Sequence, residues 1–134
     1  LIGTCHCSAI TIEVAHKPEY VNFCDCTLCA KSGGAWGYYA AGEVTIAGST
    51  RSYRRFDIDC PAIEIQFCRQ CGTTTHWVLT EHCDGDRVGV NVRLFEPTEL
   101  KGIEGRTLDG RNWTGESPAE QRRPIGTIGE DVFI

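Results

Sequence analysis

The chain has 134 residues, 41 % hydrophobic and 23 % charged, with a formal net charge of −5; that size and balance suit one soluble domain with one core. No apolar run approaches the ~20 residues of a membrane span, and no basic stripe offers a footprint for nucleic acid. Nine cysteines are the compositional anomaly.

In chain order, Cys5-x-Cys7 comes first, and Ile10, Ile12 and Val14 then alternate with Thr11 and Glu13, the period of a half-buried strand. Tyr20 to Phe23 form a short apolar stretch leading into Cys24-x-Cys26-x-x-Cys29. Cys26 to Lys31 suits about one helical turn, ended by Gly33. Ala35 to Ala40 reads as a strand carrying Trp36, Tyr38 and Tyr39, and Val44 and Ile46 form a brief run before Gly48. Along Arg51-Ser52-Tyr53-Arg54-Arg55, strand alternation places Arg51, Tyr53 and Arg55 on one face and Arg54 on the other. Ile63, Ile65 and Phe67 alternate with Glu64 and Gln66 and deliver Cys68 at a strand end. Thr73 to Leu79 continues out of Gly72, which makes Cys68-x-x-Cys71-Gly72 the turn of a hairpin. Val88, Val90, Val92 and Leu94 alternate with Gly89, Asn91 and Arg93 and predict one strand over the whole run. Thr98 to Lys101, after Pro97, suits a second helical turn. From Gly102 onward glycine, proline and charge show no periodicity, with only Trp113, Ile125, Ile128, Val132 and Phe133 as anchors; residues 102–134 read as a tail packed on a single all-β domain with little helix.

Seven of the nine cysteines sit in tight pairs or a triplet. Thiolates one or two residues apart can meet one tetrahedral Zn²⁺ at about 2.3 Å, whereas so close a pair makes a poorly shaped disulfide. A structural zinc takes four protein ligands; a catalytic one takes three and leaves a position for water or substrate. Cys5, Cys7, Cys68 and Cys71 make four, and Cys24, Cys26 and Cys29 make three, so two Zn²⁺ per chain are expected. The alternatives are a disulfide framework for the first four, and for the triplet a second structural zinc closed by Cys60, Cys83 or one of His6, His16, His76 and His82. Taken alone, Cys60 and Cys83 read as small buried hydrophobes. Loading both sites brings the folded charge to about −8. Cysteines spaced for metal point to the reducing cytoplasm.

The motifs Gly3-x-Cys5-x-Cys7, Cys24-x-Cys26-x-x-Cys29-x-Lys31-Ser32-Gly33 and Phe67-Cys68-x-x-Cys71-Gly72-Thr73 together resemble the glutathione-dependent formaldehyde-activating enzyme family, which includes the centromere protein V domain. The resemblance covers roughly residues 3 to 100. It implies twisted antiparallel sheets of the β-tent type shared with methionine sulfoxide reductase B, pinned by a structural zinc on Cys5, Cys7, Cys68 and Cys71. It implies that Cys24, Cys26 and Cys29 hold a second, active-site zinc approached by glutathione. The implied activity is that of a carbon–sulfur lyase run in reverse, condensing glutathione with formaldehyde to S-(hydroxymethyl)glutathione. The chain departs from the family pattern at Asp25, where histidine is common; an acid there adds negative charge beside the thiolates and bears on substrate identity.

A three-thiolate zinc unit carries −1, and a substrate thiolate with the carboxylates of glutathione adds to that, so cations must stand near. Arg51, Arg54 and Arg55 are the candidates for glutathione carboxylates, with Arg93 and Lys31 behind them, because a guanidinium binds a carboxylate bidentately. The plainer reading is a solvated strand face, or charge balance against Asp57 and Asp59. Trp36, Tyr38, Tyr39 and Trp77 read as core or groove-lining aromatics. His76 reads as a hydrogen-bonded structural histidine, or else as a proton donor or fourth ligand. Three function classes remain open: the zinc lyase acting on a thiol and an aldehyde; a non-catalytic zinc scaffold binding a thiol metabolite or a protein; and a redox protein using the triplet with Cys60 or Cys83.

Overall fold

The computed structural model describes residues 1–112 and 123–134. Its elements run β1 (Ile2–Thr4), β2 (Thr11–Val14), β3 (Tyr20–Cys24), α1 (Thr27–Ser32), β4 (Trp36–Tyr39), β5 (Val44–Ala47), β6 (Thr50–Arg54), β7 (Ile63–Cys68), β8 (Thr74–Leu79), β9 (Val88–Asn91), β10 (Glu104–Leu108) and β11 (Arg123–Thr127). Short 3-10 turns cover Ala41–Glu43, Val92–Leu94 and Pro97–Leu100. The protein is mostly β, as the alternating patterns predict.

Two sheets result. The smaller has the order β1-β2-β5 and the larger β11-β10-β3-β4-β9-β8-β7-β6. Neighbours are antiparallel except β10, which runs parallel to β3 with Glu104 opposite Tyr20 and Leu108 opposite Cys24. The main core lies between the sheets, where Ile12 and Val14 of β2 meet Val21, Tyr39, Val88 and Val90 of the larger sheet. On the other face of the larger sheet Trp36, Ile65, Trp77 and Cys29 form a second apolar cluster. Strand alternation separates the two within single strands: Trp36 of β4 faces the cysteine triplet, and Tyr39 faces the core.

Three regions differ from the sequence-based expectation. The strand predicted from Val88 to Leu94 stops at Asn91. The Asn91 carboxamide accepts the N–H groups of Ala35 (3.2 Å) and Arg93 (3.4 Å) and donates to Thr74 O (2.9 Å), so the side chain caps a turn and the apolar alternation continues without a strand. Residues beyond Gly102 do more than cover the domain, since β10 and β11 complete one edge of the larger sheet. Among the anchors expected there Ile128 is fully buried and Val132 packs on the core, but Ile125 and Phe133 are exposed, and Trp113 lies outside the described residues. The arginine-rich strand β6 ends at Arg54, which leaves Arg55 in the following loop, off the strand whose alternation would have set its direction. No helix among the described residues is long and apolar enough to cross a membrane.

Packing over the second cluster depends on Gly89. A Cβ there would stand 2.1 Å from the Trp77 indole nitrogen, a distance no side chain can relieve without moving the ring. Gly89→Ala is expected to destabilise the fold by about 1–3 kcal/mol, read as a lower denaturant midpoint at unchanged slope.

Candidate metal centre

Two sulfur clusters stand where the two apolar regions meet the loops. The first joins the loop after β1 to the β7–β8 turn. Both are tight knuckles: Ser8 adopts a positive φ of 61° and Gly72 one of 73°, and the Gly72 N–H returns to Cys68 O at 3.0 Å. Backbone N–H groups point at the sulfurs, Ile10 N to Cys5 Sγ at 3.2 Å and Gln70 N to Cys68 Sγ at 3.4 Å. The Cys7 sulfur lies 3.6 Å from that of Cys5 and 3.7 Å from that of Cys68. Two sulfurs bound at ~2.3 Å to one tetrahedral ion stand about 3.75 Å apart, so these separations match the edges of a thiolate tetrahedron. They are far from a disulfide bond of about 2.05 Å, which removes the disulfide framework for these four. Cys5, Cys7, Cys68 and Cys71 could hold a metal ion.

Their proton affinities agree with that assignment. The Thr73 hydroxyl and N–H pull the Cys71 thiol down to about 5. The Cys71 N–H likewise lowers Cys68. At Cys7 the Ala9 N–H favours the thiolate, but desolvation and the three neighbouring sulfurs outweigh it and push the thiol up to about 12. Backbone donors thus favour anions that the sulfurs cannot all become without a cation among them.

The second cluster is built on the end of β3 and the start of α1. Cys24 closes β3, Cys26 is the N-cap of α1 and its sulfur accepts the Cys29 N–H at 3.4 Å, and Cys29 is buried in the first helical turn. The Trp36 indole N–H donates to Cys29 Sγ at 3.3 Å and fixes that sulfur from the sheet side. Gly33 ends the helix in the left-handed conformation, as the sequence predicts. The three sulfurs lie within 4.8 Å of one another and could hold a metal ion; among the described residues no fourth cysteine, histidine or carboxylate joins them. Hydrogen bonds from Cys24 and then Cys29 hold Cys26 far below the usual thiol range, while both partners shift upward.

The other candidates are sorted by the sheet. Arg54 pairs with Glu64 (3.0 Å) and Glu81 (2.6 Å), and Arg51 is exposed on β6; neither lines the groove beside the triplet. Arg93 sits on the turn after β9, beside β1. Arg55 does line that groove: its guanidinium makes two 2.7 Å hydrogen bonds to Asp57, and its proton affinity is raised by Asp57 first and by Cys26 after it. The groove has a volume of about 440 Å³ between Leu28, Lys31 and Ser32 of α1 and Tyr53, Arg55 and Phe56. His76 is buried with its Nδ1 3.0 Å from Thr75 Oγ1, outside either sulfur cluster, and burial alone lowers it to about 4. Trp36, Trp77 and Tyr39 are buried, and Tyr38 is half-buried with its ring 5.8 Å from that of Trp77. Cys60 is exposed and Cys83 half-buried, so the buried-hydrophobe reading fails for both, and neither joins the triplet.

Sequence reasoning missed three groups. Asn22 is buried on β3, donating to Tyr38 Oη at 2.6 Å, and its Oδ1 has no partner among the described residues. Phe56, 89 % exposed at the groove, was hidden between charged neighbours. Gly110 and Arg111 approach Cys24 and Asp25 from a segment with no periodic signal.

Residues 1–104 match the family model described as glutathione-dependent formaldehyde-activating enzyme. The chain belongs to this family. It is also similar to the crystal structure of a Rhodobacter sphaeroides protein, with 26 % identity and a TM-score of 0.61 over 78 % of this chain and 99 % of that one. No curated protein matches it. Membership in the glutathione-dependent formaldehyde-activating family agrees with the cysteine motifs, all of which fall inside the matched residues.

The two clusters are expected to differ in what they support. Cys68→Ser should lose one metal ion and the cooperative unfolding transition, because a structural thiolate site contributes roughly 10 kcal/mol to folding. Cys29→Ser should lose one ion and keep the transition. Metal analysis and thermal circular dichroism on both variants check this.

Proposed function

We propose that the chain is a zinc-dependent carbon–sulfur lyase of the S-(hydroxymethyl)glutathione synthase type, joining glutathione to formaldehyde. The observation that carries this is a three-sulfur cluster, without a fourth ligand among the described residues, beside a groove bearing Arg55 and Lys31. Family membership supports glutathione and formaldehyde as the small-molecule partners.

The three sulfurs fit a divalent ion: they converge within 4.8 Å, and hydrogen bonds from Cys24 and Cys29 lower the proton affinity of Cys26. A soft, sulfur-rich donor set of this kind selects zinc among the common divalent ions of the cell. Zinc held by Cys24, Cys26 and Cys29 would lower the pKa of a thiol at its open position and so supply the nucleophilic form at neutral pH. The protein's own residues do the rest. Trp36 fixes Cys29 through its indole N–H, so the ligand set keeps one geometry. Arg55 and Lys31 offer cations to the carboxylates of the peptide thiol, while Leu28, Tyr53 and Phe56 give the groove apolar surface. Asp57 orients the Arg55 fork and is itself held down to about 2 by that guanidinium. In the reaction a sulfur–carbon bond forms, the carbonyl π bond breaks, the thiol gives up its proton and the new hydroxyl gains one. No redox partner is needed.

The same reading places the protein in the reducing cytoplasm, where clustered thiols persist as metal ligands. It assigns the protein no nucleic-acid partner. Four thiolates would hold a structural zinc at Cys5, Cys7, Cys68 and Cys71, making two ions per chain.

Glutathione and formaldehyde also combine without a catalyst, so the test is a rate. Exchange between free and S-hydroxymethyl glutathione, followed by NMR at neutral pH, should accelerate with the zinc-loaded protein. Arg55→Ala should raise the KM for glutathione roughly tenfold or more, the scale of a lost charge-assisted hydrogen bond, and Arg54→Ala should leave it unchanged. Binding of glutathione with no rate above the spontaneous one would contradict the lyase and assign the non-catalytic alternative.

A further inference from the structure

The parallel pairing of β10 with β3 has a local outcome at the triplet. Leu108 lies opposite Cys24, so the chain leaving β10 emerges beside the sulfurs. There it meets Asp25. The Asp25 N–H donates to Leu108 O at 3.4 Å. Its carboxylate Oδ1 accepts the Gly110 N–H at 2.6 Å and the Arg111 N–H at 3.2 Å. The Arg111 Nε returns to Asp25 O at 3.1 Å. Asp109 stiffens the same turn by accepting from the Asn112 backbone at 3.3 Å and from its carboxamide at 2.9 and 3.1 Å.

The turn is held in contact with the ligands. A Cβ on Gly110 would stand 2.7 Å from Cys26 Cβ, 2.8 Å from Cys24 Sγ and 2.9 Å from Cys26 N. All three distances are below what a real side chain tolerates, so only glycine lets the backbone come this close. Two adjacent backbone N–H groups donate to the carboxylate and the Arg111 guanidinium to the Asp25 carbonyl, so the acid that replaces the family's common histidine is satisfied locally. Residues 108–111 lie beyond the 1–104 family match.

We propose that Asp25 is a positioning residue of the triplet site, clamping the Gly110–Arg111 backbone against Cys24 so that this flank is closed and a thiol ligand approaches from the groove of Arg55 and Lys31. Trp36 closes the Cys29 side from the sheet. The groove of Arg55, lined also by Thr27 and Leu28 directly after Cys26, is left as the approach. The direction of approach rests on the glutathione reading above; the closed flank does not.

The test uses the full-length, metal-loaded protein and the chromophoric chelator 4-(2-pyridylazo)resorcinol, with release from the Cys5–Cys71 cluster as the internal control. Loss of a group that orients metal ligands typically costs roughly tenfold to a hundredfold in metal affinity. Asp25→Ala should speed release from the triplet on that scale and leave the control phase unchanged. Asp25→Asn keeps an acceptor oxygen and should stay close to the wild-type rate. Gly110→Ala, which forces the turn off Cys24 without touching Asp25, should behave like Asp25→Ala. A wild-type rate in both Asp25→Ala and Gly110→Ala, or an acceleration shared equally by the control phase, overturns the proposal. Chelator release needs no turnover, so this result stands apart from the NMR rate that tests the lyase itself.

Discussion

Sulfur atoms carrying charge cannot be packed edge to edge without a cation between them. Two unit charges 4 Å apart repel by about 4 kcal/mol at an effective dielectric of 20, and this chain brings four thiols together, with the Cys7 sulfur 3.6 Å from that of Cys5 and 3.7 Å from that of Cys68. Backbone N–H groups aimed at the sulfur of Cys68 favour its anionic form. A metal ion would reconcile these demands. It would also tie the loop ahead of β2, in the smaller sheet, to the β7–β8 turn of the larger one, across the core that both sheets share.

With the sheets fixed, each strand of the larger one can serve two environments. On β3, Val21 enters the core while Asn22 and Cys24 turn to the other side; on β4, Tyr39 enters the core while Trp36 reaches Cys29. The triplet therefore sits on a sheet whose opposite face is the hydrophobic core, a rigid support for ligands that must hold one geometry. The groove beside it is made by less regular parts, a six-residue helix and the loop after β6. Rigid ligands beside an irregular groove suit a site that fixes a metal and admits a flexible peptide thiol.

The parts legible in the sequence were those with a period or a fixed spacing. The cysteine clips, the alternation of Ile10 to Val14 and of Ile63 to Phe67, and Gly33 at the end of α1 each encode local geometry and appear where expected. The illegible parts depend on partners distant in sequence. Glu104–Leu108 forms a strand because β3 offers it an edge, and nothing in Glu-Gly-Arg-Thr-Leu announces that. Val92 and Leu94 continue an apolar alternation, yet the Asn91 carboxamide diverts the backbone into a turn. Composition marked the arginine cluster as a group but could not choose Arg55, whose direction is set by leaving the strand and pairing with Asp57. Asp25 looked like an unbalanced charge because its partners, Gly110 and Arg111, are 85 and 86 residues away.

The central claim is that the triplet holds a zinc with a position open to a thiol. X-ray absorption at the zinc edge, on protein carrying two zincs and titrated with glutathione, addresses it directly. The account predicts that mean sulfur coordination rises on titration, as the triplet's ion gains one sulfur and the four-thiolate ion stays constant. A spectrum that ignores glutathione at saturating concentration, or a protein that retains only one zinc, would contradict it.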